Sequence, residues 1–300
     1  MPVTFRPGTI EDSFACYQVF RTSIMDFGER TGVMAVTGGD DPAVLEKLWH
    51  RRRGLFEHLA RTAEHFWLAE NDGHVLGYAR SINRGGVREL TEFFVLPGQQ
   101  SAGVGRELLA RAFPREGAKH RLIIATADVR AQARYLKAGV TPYFPLYTFL
   151  REPQTVPLET NLQFTPLTAE SLPALNQLDA ALFGHTREVD HAWLMTDRQG
   201  YIYTRGGQVV GYGYVGDMSG PFAVLHAEDF PAVLAHAERE AAAHAWPFSV
   251  DVPVVNRTAV DYLLSRGCQI DSFIALIMAE APLTWARFEN YLFTSPPFFM

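Results

Sequence analysis

The sequence predicts a protein of the α/β (α+β) class with two tandem domains, each a mixed, mostly antiparallel sheet flanked by helices. Short β-branched and aromatic runs, typical of strands, alternate with segments of helical periodicity. Turns containing Gly join several of these strands as hairpins. After a connector rich in Pro and Thr at 152–157, the same order of elements begins again. We therefore predict one domain at 1–150, a linker at 151–160 and a second domain at 161–300.

The first domain begins with a strand at 4–6, a helix that starts after Thr9, and a long helix at 43–65. Apolar runs at 66–70, 75–82 and 88–96 follow, separated by turns that contain Gly73, Gly85 and Gly86. This spacing predicts three antiparallel strands in a meander. A helix at 104–112, a strand at 122–126, a helix at 131–138 and a strand at 143–150 complete the domain.

The second half repeats the first. Residues 73–78 align with residues 207–212, and residues 128–131 align with residues 256–259. In the second frame Gly139 falls on Gly267. Two anchors in the same order favour an internal duplication, with several residues missing between them in the second copy.

Composition excludes several classes of protein. A net charge of −6 gives no electrostatic support for nucleic-acid binding. Only two cysteines are present, far apart, so neither a disulfide framework nor a Cys-rich metal site is expected. No basic-then-apolar leader opens the chain, and no apolar run reaches the ~20 residues of a membrane span. We expect a cytoplasmic protein that holds no metal and contacts no membrane.

The most informative stretch is the passage from strand to helix at 91–113. Pro97 and Gly98 end the strand, and a loop with Gly103 and Gly105 opens the helix. Such a loop directs free backbone N–H groups, together with the positive end of the helix dipole, at one point. This pattern predicts a phosphate or pyrophosphate site. No Gly-Lys-Ser/Thr follows, so the loop is not a Walker loop, and a tight structural connection remains the alternative.

Two motifs in this domain resemble those of the GNAT (GCN5-related N-acetyltransferase) superfamily. Gln100, Gly103 and Gly105 match its Gln-x-x-Gly-x-Gly coenzyme A loop. Residues 128–140 resemble its Asn-x-x-Ala-x-x-Leu-Tyr-x-Lys-x-Gly-Phe motif, with Tyr135 and Gly139 in place. The chain departs from that motif at Asp128, Arg134 and Val140.

The resemblance implies acetyl-CoA as the acyl-donor co-substrate and Tyr135 as the acid that protonates the departing thiolate. It also implies that the strand ending at Val95 splays from its neighbour near 122–126, so that the cofactor arm enters the gap. The cofactor-binding residues it implies are Val95, Leu96, Gln100, Ser101, Ala102, Gly103, Val104, Gly105, Arg106 and Asp128.

An amine acceptor must lose a proton before it attacks, and a carboxylate can take that proton. Glu89 and Glu92 are the candidates, and their three-residue spacing places them on opposite faces of a regular strand. Glu89 fits the position that the family often uses, whereas Glu92 lies in mid-strand beside the expected cleft. The acceptor segment is expected at 23–53, where the candidate residues are Phe27, Met34 and Trp49 for an apolar pocket, and Asp26, Glu29, Asp40 and Asp41 for a cationic acceptor.

The second copy lacks the counterparts of the glycine loop and of Tyr135. No glycine occurs from residue 221 to residue 266, and Glu228 and Asp229 stand where the helix should begin. Carboxylates there would repel a pyrophosphate. The residue aligned with Tyr135 is Leu263, which cannot transfer a proton. We therefore expect the cofactor in the first copy only.

Two whole-protein hypotheses follow. The first is an acyl-CoA-dependent N-acetyltransferase that acts on a primary amine of a small molecule by direct attack. The second is a non-catalytic acetyl-CoA-binding sensor or interaction protein. Neither involves a nucleic acid, and a homodimer is left open. The C-terminal residues 294–300 are too apolar for a free tail, so we expect them to pack on the protein.

Overall fold

A computed structural model describes residues 2–33, 42–99, 103–155, 157–294 and Phe298, and from residue 42 to residue 45 it describes the backbone alone. The chain forms two compact units. The first comprises Met1–Thr141 and Met278–Ala281, and the second comprises Pro142–Ile277 and Pro282–Met300. The mixed α/β architecture predicted from the sequence is confirmed. Among the described residues, no helix combines the length and hydropathy needed to span a membrane.

The elements of the first unit follow the expected order. They are β1 (Thr4–Pro7), α1 (Ser13–Thr31), α2 (Pro42–Thr62), β2 (Ala63–Asn71), β3 (His74–Arg84), β4 (Val87–Val95), α3 (Val104–Ala112), β5 (His120–Thr126) and α4 (Val129–Lys137). A single 3-10 turn with a capping box between Thr9 and Asp12 precedes α1. The second helix ends three residues earlier than its apolar pattern suggested, because the backbone from Ala63 onward pairs with β3.

Strands β1 to β4 are antiparallel neighbours in that order, and β5 is parallel to β4. Pairing of β3 with β4 includes a bulge, since Arg80 is opposite Glu92 whereas Ser81 is opposite Leu90. Further along, Ile82 is opposite Glu89. Residues 80 and 82 share a face of β3, and directly opposite residues of two strands share a face. Glu89 and Glu92 therefore lie on the same face of the sheet, and the expectation of opposite faces was wrong.

Strands β4 and β5 separate before either strand ends. Their parallel pairing runs from Val87 with His120 to Leu90 with Ile123. Beyond that pair, β4 continues to Val95 and β5 to Thr126. The result is a V-shaped gap whose edges are main-chain groups.

A cluster of aromatic and aliphatic side chains fills the space between α1, α2 and the sheet of the first unit. Its buried members are Cys16, Tyr17, Val19, Phe56, Phe66, Leu68 and Tyr78. Trp49 packs at the edge of this cluster, with its ring 5.3 Å from both Phe14 and Tyr17. Trp49 is therefore half-buried against the aromatic cluster.

The remaining strands and helices lie in the second unit, apart from Thr141 at the start of β6 and Met278–Ala279 at the end of β12, which belong to the first. They are β6 (Thr141–Arg151), β7 (Gln163–Pro166), α5 (Leu172–Phe183), α6 (Glu188–Asp197), β8 (Gln199–Arg205), β9 (Gln208–Val215), β10 (Phe222–Val224), α7 (Phe230–His244), β11 (Phe248–Pro253), α8 (Arg257–Ser265), β12 (Gln269–Ala279) and β13 (Tyr291–Leu292). Strands β13, β10, β9, β8 and β7 form one sheet in that order. Strand β6 pairs with β11, which is why the unit boundary falls at residue 141 rather than at the predicted 150.

The aligned anchors occupy equivalent places in the two units. Gly77 lies at a bulge in the β2–β3 hairpin, and Gly211 lies at a bulge in the β8–β9 hairpin. At both glycines a Cβ would meet a backbone oxygen of the next strand, at 2.8 Å from Phe94 O and at 2.6 Å from Ala223 O. Both positions therefore require a residue without a side chain. The shared bulge position and the shared steric requirement for glycine confirm the tandem repeat.

Candidate active site in the first unit

The gap between β4 and β5 is the entrance to a cleft in the first unit with a cavity of about 120 Å³. Residues 90–95 of β4 line one side, and Ile123, Ile124 and Thr126 of β5 line the other. Helices α1 and α4 close its ends through Ser23, Phe27, Asp128 and Tyr135, among others. The cleft lies where the strands no longer pair with each other, so it offers backbone donors and acceptors along an extended edge.

Helix α3 begins beside this edge. Its N-cap is Gly103, with φ at +81° and no side-chain hydrogen bond to the cap. The first-turn amides of a helix have no intrahelical acceptor, and the helix dipole adds partial positive charge. Gly105 packs so closely on β4 that a Cβ would lie 3.2 Å from Phe93 Cζ. The region can hold an anion, provided that its side chains stay small.

Three of the predicted cofactor-binding residues, Gln100, Ser101 and Ala102, lie outside the described residues. Of the others, Val95, Gly105 and Asp128 line the cleft. The main-chain oxygen of Val95 accepts a hydrogen bond from Ser23 Oγ at 3.3 Å, which joins α1 to the end of β4. Val104 is buried at the start of α3. Leu96 N bonds to Leu76 O, and Arg106 is in the first turn of α3.

Tyr135 lies on the inner side of α4 and is 6% exposed. Its ring packs edge-on against Phe93, with 6.0 Å between the ring centroids. Burial raises the pKa of the Tyr135 phenol above its ordinary value, and the nearby Asp128 carboxylate acts in the same direction. The hydroxyl therefore keeps its proton at neutral pH, in a cleft wall next to the exposed edge of β4.

Glu92 lines the cleft but is engaged in a buried network. Arg80 donates to Glu92 Oε2 through Nε at 2.6 Å and also through Nη2, and Tyr78 Oη donates to Oε1 at 2.9 Å. Arg80 Nη1 donates to Phe56 O at 2.9 Å, so the guanidinium is tied to α2 as well. Arg80 and Glu92 are 0% and 5% exposed. Both carboxylate oxygens of Glu92 thus accept hydrogen bonds. Glu89 lies on the other side of the bulge and is also buried.

Four charged side chains, from α1 and from the start of α4, meet at the mouth of the cleft. Arg30 pairs with Asp26 at 2.7 Å and with Asp128 at 2.8 Å, and Arg130 lies 3.4 Å and 3.3 Å from the same two carboxylates. Asp128 also caps α4 by accepting from Arg130 N at 2.8 Å. Burial acts to raise the pKa of Asp128, but these hydrogen bonds outweigh it and the pKa is lowered. A carboxylate at this position, where the family motif has Asn, can form ion pairs with both Arg30 and Arg130.

Of the expected acceptor residues, Asp26 and Phe27 line the cleft, while Met34, Asp40 and Asp41 lie outside the described residues. The sequence reasoning missed Arg30 and Arg134. Arg134 Nε lies 3.5 Å from where a Gly105 Cβ would be, which places a guanidinium beside the start of α3. Only one feature of the sequence pointed to Arg134, namely that it replaces the Leu of the family motif.

The second unit differs at the corresponding places. A 3-10 turn, Ala227–Asp229, precedes α7, and Asp229 pairs with Arg205 there. Leu263, aligned with Tyr135, is fully buried. At the places that correspond to the start of α3 and to Tyr135, the second unit therefore has a paired carboxylate and a buried aliphatic side chain.

Comparison with known proteins finds a family match within the first unit and a likeness of fold over nearly the whole chain. Residues 35–140 match the model of the acetyltransferase (GNAT) family. A candidate acetyltransferase from Pyrococcus horikoshii superposes with a TM-score of 0.74 at 14% identity, over 96% of this chain and 92% of that one. A tandem GNAT protein from the clavulanic acid biosynthesis pathway gives 0.60 at 12% identity, over 94% and 99%. A GCN5-related N-acetyltransferase from Sphaerobacter thermophilus gives 0.58 at 13% identity, over 92% and 95%. No protein of curated function matches the sequence significantly.

Proposed function

We propose that the first unit, whose residues 35–140 match the acetyltransferase (GNAT) family, transfers an acetyl group from acetyl-CoA to a primary amine of a small molecule. The observation that carries the proposal is the juxtaposition of the open edge of β4 with the buried phenol of Tyr135 in one cleft. A strand edge binds an extended, amide-containing chain, and a phenol beside it can donate a proton.

The chain offers groups suited to each part of the donor. First-turn amides of α3, with Arg134 nearby, suit the phosphates. Main-chain groups of residues 91–95 suit the pantetheine arm. When bound, acetyl-CoA supplies an activated thioester carbonyl. Tyr135 would then hold at its Oη the proton that a departing thiolate requires, and the apolar side chains among the cleft lining, such as Phe27, Phe93 and Ile123, would limit access of water.

The acceptor's proton is proposed to pass to Glu89 or Glu92, directly or through water. We expect Glu89→Gln to remove the acidic limb of the pH–rate profile. We expect Glu92→Gln to lower the free energy of unfolding by about 3 kcal/mol, because it leaves the buried Arg80 without a counter-charge. Urea unfolding and pH–rate profiles of both variants measure these effects. If the acidic limb of the pH–rate profile were unchanged in both variants, neither Glu89 nor Glu92 would be the base.

The second candidate function is a non-catalytic acetyl-CoA sensor, favoured by the loss of the proton donor at Leu263 in the second unit. Release of free thiol from acetyl-CoA across a panel of small primary amines separates the two. We expect at least one amine to accelerate thiol release well above the rate of hydrolysis. Tight binding of the donor, with no acceleration by any amine, would favour the sensor.

A further inference from the structure

The second unit contains the counterpart of the gap between β4 and β5, and it is filled. Strand β10 follows the β8–β9 hairpin as β4 follows the β2–β3 hairpin, and β11 precedes α8 as β5 precedes α4. Strands β10 and β11 belong to different sheets. Between them lies β13, from the end of the chain.

Backbone hydrogen bonds join β13 to both edges of this gap. It pairs with β10 in antiparallel register, Phe222 opposite Leu292 and Ala223 opposite Tyr291. On the other side Phe293 N donates to Asp251 O of β11 at 2.9 Å. The segment thus uses the edges of β10 and β11 as an extended ligand would.

Side-chain hydrogen bonds join this segment and the rest of the unit in both directions. Asn256 caps α8 at the position aligned with Asp128, and its Nδ2 donates to Tyr291 O at 3.4 Å. Asn290 Nδ2 donates to Val224 O at 2.9 Å. At Gly220, with φ at +83°, a Cβ would lie 2.1 Å from Phe293 O. That glycine leaves room for the backbone of the segment.

The segment is also deeply buried. Exposure is 0% at Tyr291 and Leu292 and 1% at Phe293 and Thr294. Arg187 Nη1 donates to Tyr291 Oη at 2.9 Å, and the Phe183 ring packs edge-on against Tyr291 with 5.0 Å between the ring centroids. Such packing is that of a permanent occupant rather than of a mobile tail.

We propose that the second unit retains a groove for an extended chain and that residues 288–294 fill it as a built-in strand, in the place that the cofactor arm takes in the first unit. The correspondence with the cofactor arm rests on the proposed function. The occupancy itself does not. The groove therefore binds polypeptide backbone of this sequence and leaves no room for coenzyme A.

The test uses the full chain with a protease site introduced into the irregular loop at 282–286 and cleaved after folding. We expect the C-terminal fragment to stay bound through gel filtration. An excess of labelled synthetic peptide spanning residues 287–298 should then replace it one for one. A peptide of the same composition in scrambled order should not exchange, nor should the uncleaved chain take up either peptide. Loss of the fragment without uptake of the labelled peptide would overturn the proposal, as would equal uptake by the uncleaved chain.

A variant of the uncleaved chain gives a second measurement. Gly220→Ala places a methyl group against Phe293 O, whereas Gly206→Ala, also at positive φ, meets no atom within 4 Å. We expect amide hydrogen exchange at Phe293 to speed up by at least about tenfold in the first variant relative to the second. Equal exchange rates in the two variants would contradict the proposal. Neither measurement requires acetyl-CoA, so failure of the proposed function would leave both results intact.

Discussion

Replacing Tyr135 by Phe is expected to lower kcat by about 100-fold, while the affinity for acetyl-CoA stays nearly unchanged. The ring remains to pack on Phe93, so the cleft keeps its shape, and only the proton at Oη is lost. Because burial raises the pKa of this phenol, the wild-type enzyme should show no alkaline limb from Tyr135 in the neutral range. Steady-state kinetics with an active amine, together with calorimetry of donor binding, measures both effects.

Tyr262→Phe is the matched control, because Tyr262 is a half-buried helical tyrosine in α8 of the second unit. Its kinetics should equal those of the wild type. If Tyr135→Phe also retained full kcat, a different group would have to protonate the leaving thiolate, and the role assigned to Tyr135 would be wrong.

Replacing Asp179 by Asn should lower the free energy of unfolding of the second unit by about 3–5 kcal/mol. Asp179 accepts two hydrogen bonds of 2.9 Å from Arg187 and one of 2.7 Å from Tyr212, and it lies 3.0 Å from His191 Nε2. All of these residues are essentially inaccessible to solvent. The variant removes the carboxylate with which the buried Arg187 guanidinium pairs. Urea unfolding measures the loss.

An exposed pair gives the control for this experiment. Arg257 and Asp261 form an ion pair one helical turn apart in α8, with side chains 66% and 63% exposed. Asp261→Asn should change stability by less than about 0.5 kcal/mol. Equal effects of the two substitutions would contradict the view that the buried charges of the second unit depend on each other.

The same network predicts how stability depends on pH. Burial acts to raise the pKa of Asp179, but Arg187 and His191 outweigh burial and hold it well below its ordinary value. Its contribution is therefore complete above the unfolded pKa of about 4 and is lost as the pH falls through the folded pKa. Between pH 5 and pH 2, roughly, the wild type should lose stability more steeply than Asp179→Asn.

Features that local sequence determines could be predicted. The hairpins follow from turns such as Asn71-Asp72-Gly73, and the β4–α3 passage follows from a strand pattern interrupted at Pro97. The tandem repeat could be predicted because Gly77 and Gly211 are needed for close approach to the next strand. In each case the signal lies within a few residues of the feature.

Features that depend on distant partners could not be predicted. The bulge opposite Arg80 depends on the register with β3, and it reverses the face on which Glu92 lies relative to Glu89. The Arg80–Glu92 ion pair joins two strands, so no local sequence pattern predicts it. Strand β13 has only two residues, too few for a periodic signal, and its partner β10 lies far back in the sequence.

Calorimetric titration of the whole protein with coenzyme A tests the central claim most directly, provided that hydrogen exchange then locates the ligand. We predict one molecule per chain, with protection gained at the start of α3 and along residues 91–95, and none gained at β10 or α7. Absence of binding, a second equivalent of ligand, or protection confined to the second unit would contradict the account.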